Sequence, residues 1–357
     1  MGNIDFSKLK IYLINQGWSG GTFSFFEQEF IDFGCQLKVY RIPGWNFFRQ
    51  RFIPTKLLTI DFTKKRLDRY YRETINKDIL NEVKSFKPDI FFVQNESDLL
   101  PETICEIKNL GVITVNLNGD YAFDSSRFKY FPIMLKYYDF VFYGEKIWID
   151  NYLRVAPNTK FIKTVGAYCE KYFFPLDKEI LSKSDIKADI SFAGTAYGFK
   201  AEGQYRAEIL NSVADLGLKI WGSDAWERYF GYFPKLKNCY VGKTLPFQDL
   251  NILYQNSIIN LNITNPQCLT AFQQRTFEIA TAGAFQIADY KEEIFEYFNT
   301  DEIETFKIVE ELKDKLKFYI NNPLKRIPFI DKSYARVQSS KNTYKDKILE
   351  YLNTILL

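Results

Sequence analysis

The chain contains no histidine. That absence removes Ser-His-Asp triads, Cys-His pairs, histidine-bound metals and histidine general bases together. Acid–base chemistry must then rest on carboxylates, tyrosine, lysine, cysteine or the substrate itself. Cysteine is scarce as well. There are five, an odd number with no C-x-x-C pair, which suits a reducing compartment and argues against both disulfides and a zinc site. No apolar run approaches the roughly 20 residues of a membrane helix. The opening MGNIDFSKLKIYLINQ lacks the basic, apolar, small-residue order of a signal peptide, so a cytoplasmic protein is expected. Gly2 follows Met1, but Phe6 stands where a myristoylation signal has Ser or Thr. A net charge of +3 is too small to mark a nucleic-acid binder. Clustered carboxylates of the calcium-loop kind, fixed-period repeats and low-complexity segments are all missing.

What is present is a chain of 357 residues, 46% hydrophobic and 25% charged, the balance of a globular protein and long enough for two domains. The first residues alternate strand and helix. LKIYLI reads as a buried strand, NQGWSGGT as a glycine-rich loop, 23–33 as an apolar helix and QLKVYR as a second strand. A helix over 71–85 follows, then the apolar runs PDIFFVQ, GVITVNLN, YDFVFYG and KFIKTVG, each set apart by a helix-length polar segment. Continuous apolar strands joined by helices form parallel sheets covered on both faces. The series restarts after GAYCEKYFFPLDKE with ADISFAG, LKIWGS, CYVGK, SIINLNI and AFQIAD. Two successive parallel α/β domains are therefore expected, with the boundary near 166–186. The lysine- and tyrosine-rich tail from Asp331 reads as one closing helix or two.

Open α/β sheets bind ligands beyond the carboxyl ends of their strands. In the first series those ends carry 17–22, 94–98 and 116–124; in the second, Gly194, Thr195, 222–224, 262–267 and Asp289. Two such edges facing each other would form a cleft between the domains. A diphosphate needs backbone N–H groups and cations around it. FAGTAYGFK offers the turn at Gly194 and Thr195, with Lys200 and Arg206 within reach, although an ordinary strand–helix turn with solvated cations explains the same residues. In QQRTFEIATAGAFQIAD, Arg275 and Glu278 stand one turn apart at the start of a small apolar run that breaks at Gly283. Glu278 suits the paired hydroxyls of a ribose, or else a favourable carboxylate in a first helical turn paired with Arg275.

In the first series, Asp120 of NGDY is the best-placed carboxylate to deprotonate a hydroxyl; Asn-Gly-Asp also makes turns by itself. Glu27 and Glu96 are lesser candidates. The loop of Gly17, Trp18, Ser19, Gly20 and Gly21 lets backbone approach a substrate closely, or is merely flexible. Trp18, Trp221 and Trp226 suit stacking on a sugar or base, or simply the core. The stretch 41–72 gathers Arg41, Arg49, Arg51, Lys56, Lys64, Lys65, Arg66, Arg69 and Arg72 against Asp61 and Asp68, with Trp45, Phe47, Phe48 and Phe52 between them. It fits an anionic membrane surface or anionic acceptor, or a solvated basic face.

The second half resembles the CgeB-like (spore-maturation type) glycosyltransferases of the GT-B group. The similarity lies in GAYCEKYFFP, ADISFAGTAYGFKAEGQYRAEILNSV, LKIWGSDAWERY, LYQNSIINLNI, RTFEIATAGAFQIAD and KNTYKDKILEYL, in that order across roughly 166–352. The first half is similar only in architecture and in Asp120. The resemblance implies a GT-B fold: an acceptor-binding Rossmann-like domain at 1–166, a nucleotide-sugar domain at 167–340, and a C-terminal helix at 341–357 that packs back on the first domain. It implies a metal-independent hexosyltransferase without cofactor, working on cell-surface glycans, with a UDP-sugar first among donors and the acceptor unidentified. Gly194, Thr195, Lys200, Arg206, Gly222, Arg275 and Glu278 would hold the donor, Asp120 would be the base, and the 17–21 loop would meet acceptor or donor sugar. The chain departs from the pattern at Asn342, where many members carry histidine, and in lacking the first glutamate of the related E-x7-E pattern, of which Glu278 is the second; the stereochemical outcome is thereby open. A non-catalytic nucleotide-sugar binding protein, or an epimerase or phosphorylase of the same fold, remains the alternative.

Overall fold

Every residue of Ile90–Gln94 is buried, so this strand needs cover on both faces and neighbours on both sides. It finds them in a parallel sheet. The computed structural model describes residues 5–16, 23–42, 61–94, 98–123, 129–196 and 201–357. The chain divides into two units, Met1–Thr164 with Ile348–Leu357, and Val165–Lys347.

In the first unit the strands are β1 Lys10–Gln16, β2 Gln36–Ile42, β3 Ile90–Gln94, β4 Ile113–Asn118, β5 Phe140–Tyr143 and β6 Lys160–Lys163. They form one sheet of order β2-β1-β3-β4-β5-β6, parallel at each pairing. The helices between them are α1 Phe23–Asp32, α2 Asp61–Phe86, α3 Pro101–Asn109, α4 Phe131–Met134 and α5 Ile149–Val155. One face of the sheet, through Tyr12, Ile14, Phe91, Val93, Val141 and Tyr143, packs with Tyr71, Ile75 and Ile79 of α2 and Ile104 and Ile107 of α3. On the other face Phe92 meets Phe26 and Phe30 of α1.

The second unit repeats the plan with β7 Ala188–Ala193, β8 Leu218–Trp221, β9 Ser257–Asn262, β10 Gln286–Asp289 and β11 Glu304–Phe306, in order β11-β10-β9-β7-β8 and again parallel. Its helices are α6 Lys178–Ser182, α7 Ala201–Ser212, α8 Pro234–Cys239, α9 Phe247–Gln255, α10 Arg275–Thr281, α11 Val309–Asn321 and α12 Ile327–Ser339, followed by α13 Tyr344–Leu356. CYVGK is not a strand. Tyr240 makes a single bridge to Ile220, and Gly242 and Lys243 both turn to positive φ, 83° and 59°, which ends any extended run. The three-residue edge strand β11 is too short to have carried a pattern.

The tail forms two helices. Thr343 caps the second: the amide of Asp346 donates to the Thr343 hydroxyl oxygen at 3.1 Å, and the amide of Thr343 donates back to Asp346 Oδ2 at 3.1 Å. This reciprocal pair satisfies helix-start groups that have no partner within the helix. From Ile348 onward α13 belongs to the first unit. There the hydroxyls of Tyr351 and Thr164 bond at 2.8 Å and the Tyr351 ring lies 4.2 Å from that of Phe142, centroid to centroid. Among the described residues no helix is long and apolar enough to cross a membrane.

Candidate functional site

Because the strands of the second unit are parallel, the ends of β7, β8, β9 and β10 deliver Gly194, Gly222, Ile263 and Asp289 to one edge of its sheet. The first two meet closely. Gly194 N donates to the Trp221 carbonyl at 2.9 Å, and Trp226 Nε1 donates to the Gly194 carbonyl at 2.8 Å. A Cβ on Gly222 would lie 2.3 Å from that carbonyl, so only glycine lets the β8 turn close over the β7 turn. Trp221 and Trp226 are both buried, Trp226 completely; they build the core beneath the edge and stack on nothing outside it.

Arg206, on α7, is 1% exposed. Its guanidinium donates to the carbonyls of Thr195 at 3.1 Å and Ile263 at 3.0 Å, and lies over the Phe192 ring. In the amide orientation that satisfies its surroundings, the Gln273 oxygen accepts from Arg206 Nη2 and Asn265 N, both at 3.0 Å. One buried cation thus ties the β7 turn to the loop after β9. The far side of that loop is braced by acid and base. Asp289 accepts from Thr264 N at 2.8 Å and sits 3.5 Å from Lys291, whose Nζ donates to the Cys268 carbonyl at 2.7 Å. Burial raises the Asp289 pKa, with Lys291 opposing.

The loop leads into α10, every residue of which after Arg275 is buried. The helix is seated by an amide network: Asn262 Nδ2 donates to Thr276 Oγ1 at 2.8 Å and to Gln286 Oε1 at 3.1 Å, and Gln286 Nε2 donates to the Thr276 carbonyl at 2.9 Å. Gly283, at φ 68°, terminates it in the left-handed conformation that glycine adopts without strain. Glu278 is 5% exposed. Its carboxylate accepts from the Tyr254 hydroxyl at 3.3 Å and from Gln274 Nε2 at 3.1 Å. Gln274 is itself fixed, accepting from the Tyr344 hydroxyl at 3.3 Å. Arg275 Nε donates to the same Tyr254 oxygen at 3.2 Å. Its Nη1 lies 3.6 Å from where a Cβ on Gly194 would stand, so the guanidinium adjoins the β7 turn.

Of the donor candidates, then, Gly194, Thr195, Arg206, Gly222, Arg275 and Glu278 converge at this edge, and Arg206 does so from below through backbone carbonyls. Lys200 lies outside the described residues, as do Gly17, Trp18, Ser19, Gly20 and Gly21. In the first unit Asp120 follows β4 half-buried, its amide donating to Asn118 Oδ1 at 3.1 Å in an Asx turn. Of the described cations of the basic stretch, three meet carboxylates of their own unit: Arg41 with Glu27 at 2.6 Å, Arg69 with Glu73 at 2.7 Å, and Arg72 with Asp98 at 2.7 Å and Asp68 at 3.3 Å. Sequence reasoning missed Tyr254. It sits in an apolar helix, and the one available signal was that a buried phenol must find a hydrogen-bond partner.

A family model described as glycosyl transferase-like matches residues 206–353, the segment that carries Arg206, Tyr254, Arg275 and Glu278. No curated protein matches the chain by sequence. Solved structures do match in fold. A sucrose-phosphate synthase from Thermosynechococcus elongatus superposes with a TM-score of 0.70 at 12% identity, over 98% of this chain and 99% of that one. A glycosyltransferase from Rickettsia africae gives 0.65 at 15% identity, over 98% and 99%. Anabaena HepE in complex with UDP and glucose gives 0.62 at 9%, over 97% and 100%. The fold is that of the GT-B glycosyltransferases: two parallel-sheet α/β units.

Burial of Glu278 raises its pKa, against the charge of Arg275 and the hydrogen bonds from Tyr254 and Gln274. A carboxyl shifted upward contributes stability that is full below its unfolded pKa and lost as pH rises through the folded one. Glu278→Gln should therefore unfold, without ligand at pH 7, at a temperature equal to or above that of the parent. Its advantage should shrink as the pH approaches the ordinary carboxyl range near about 4. Thermal unfolding of both proteins across that range is the check, and a large loss at pH 7 would contradict it.

Proposed function

We propose that the protein transfers a sugar from a nucleotide-sugar donor to an acceptor hydroxyl, with the second unit holding the nucleotide. The observation that carries this reading is the set Arg275–Tyr254–Glu278 placed against the Gly194–Thr195 turn at the carboxyl edge of a parallel sheet. In it Glu278 accepts from the ribose hydroxyls and Arg275 meets the diphosphate. Backbone N–H groups of the β7 turn add donors, and Arg206 adds positive charge from beneath. Stabilising the leaving diphosphate with fixed cations is the largest service such a site can render, and on this reading a metal is not needed for it. A UDP-sugar is the first donor to try, since a structure of the same fold is described with UDP and glucose. In the first unit Asp120 is assigned the acceptor proton.

The reading is tested by a thermal-shift panel of UDP-, GDP-, TDP- and ADP-sugars, followed by an assay of donor consumption. A bound ligand raises stability by mass action. Donor consumption would support the transferase, and binding without any consumption over hours would support a non-catalytic nucleotide-sugar binding protein.

Each charge-assisted hydrogen bond is worth roughly 1.5–3 kcal/mol, or about 10- to 150-fold in affinity. Glu278→Gln should weaken uridine and UDP alike by that order, whereas Arg275→Ala should weaken UDP more than uridine. Titration calorimetry separates the two. For the base, Asp120→Asn should lower transfer roughly 10²- to 10⁴-fold with donor affinity retained; transfer at the parental rate would place the base elsewhere.

A further inference from the structure

The middle of the first sheet ends in amides. Extending the pairing of β1 with β3 one step beyond Ile14 and Val93 sets Asn15 beside Gln94. Side chains alternate along a strand, so both lie on the face of Phe92, where Phe26 and Phe30 of α1 pack. Neighbouring strands lie about 4.8 Å apart, and the two carboxamides therefore stand side by side. They are 4% and 1% exposed. Asn116 of β4 is a third buried amide, but its register with Val93 places it on the opposite face, with α2 and α3.

Among the described residues Asn15 Oδ1, Gln94 Oε1 and Gln94 Nε2 have no hydrogen-bond partner. The two amides therefore do not bond to each other through these atoms, and no described cation donates to either oxygen. A buried amide atom without a partner is costly, and native folds leave few of them. Here three meet at one spot. Apolar side chains would avoid the cost, as Leu13 and Phe92 do two residues back on the same strands. The place matters as much as the orphaned atoms. This is the carboxyl edge of a parallel sheet, where ligands of open α/β folds bind, and Asp120 follows β4, the next strand along.

The chemistry of the pair narrows the ligand. A carboxamide both gives and accepts hydrogen bonds, as a hydroxyl does, so two of them side by side match two neighbouring hydroxyls. A phosphate or carboxylate would be buried against neutral amides, at a far larger cost. We infer that Asn15 and Gln94 form the acceptor subsite of the first unit, and that it takes the hydroxyls of an uncharged sugar. This rests on the transferase reading above, in which Asp120 receives the acceptor proton. A hydroxyl that reaches these amides is withdrawn from water with them, so a sugar lacking it leaves them orphaned and is rejected.

The test uses Gln94→Met, which keeps the side-chain length without polar atoms, and Asn15→Leu. Saturation-transfer NMR titrations are run with the methyl glycosides of glucose, galactose, mannose and N-acetylglucosamine and with phosphorylated glucose; UDP is titrated by calorimetry. The parent should bind at least one neutral glycoside and prefer it to the phosphorylated sugar. Each variant should weaken that glycoside about 5- to 150-fold and leave UDP affinity as it was. Without ligand, Gln94→Met should unfold at the parental temperature or above, since it removes buried atoms that have no partner. Binding of no neutral glycoside overturns the inference, as does preference for the phosphorylated sugar. So does glycoside affinity unchanged in either variant. A loss of stability in Gln94→Met also overturns it, because the amide would then be held by internal water as part of the core. If the parent fails to bind UDP while a glycoside still binds through Asn15 and Gln94, the transferase reading fails and the sugar subsite stands.

Discussion

A carboxylate that is 5% exposed must be compensated where it stands, because burial of an unpaired charge is among the costliest things a fold can contain. The compensation of Glu278 reaches far through the second unit. Tyr254 serves it from α9, whose position is set by the apolar contacts of Phe173 and Ile279. Gln274 serves it from the turn before α10, held by Tyr344 at the start of the last helix, and Gly166 leaves the room that Gln274 needs, since a Cβ there would lie 2.8 Å away. The seating of α10 on β9 and β10 depends on Asn262, Gln286 and Thr276. Without the charge, the Tyr254 hydroxyl and Gln274 Nε2 would lose the acceptor they share.

A second buried charge sets the rim above it. Arg206 joins the turn after β7 to the loop after β9 through two carbonyls, and Asp289 with Lys291 anchors the same loop from its other side. The loop is therefore preorganised by interactions that do not depend on a ligand. This arrangement suits a site that must meet a polyanion without reorganising, because fixed dipoles and charges act at no further cost when the ligand arrives.

Much of the architecture could be read from the chain itself. Runs such as IFFVQ and SIINLN are apolar throughout, as strands buried on both faces must be, and the helix-length polar segments between them leave parallel pairing as the outcome. The failures have local causes. CYVGK looked extended, yet positive φ at Gly242 and Lys243 breaks it, and ETF was three residues long. At the site, Gly194, Arg275 and Glu278 were legible because strand ends and helix starts are where ligands bind. The part played by Arg206 was not, because an arginine on a helix reads the same whether it faces solvent or two buried carbonyls. Tyr254 was hidden for a related reason: it stands 21 residues before Arg275, and nothing but tertiary packing brings their polar atoms to 3.2 Å.

The central claim is that a nucleotide diphosphate rests on the carboxyl edge of the second unit. Amide hydrogen exchange with and without UDP tests it most directly. The account predicts slowed exchange confined to the turns at 194–196 and 222–224 and the segment 274–278. Protection found elsewhere, or none at a UDP concentration that stabilises the protein, would contradict it.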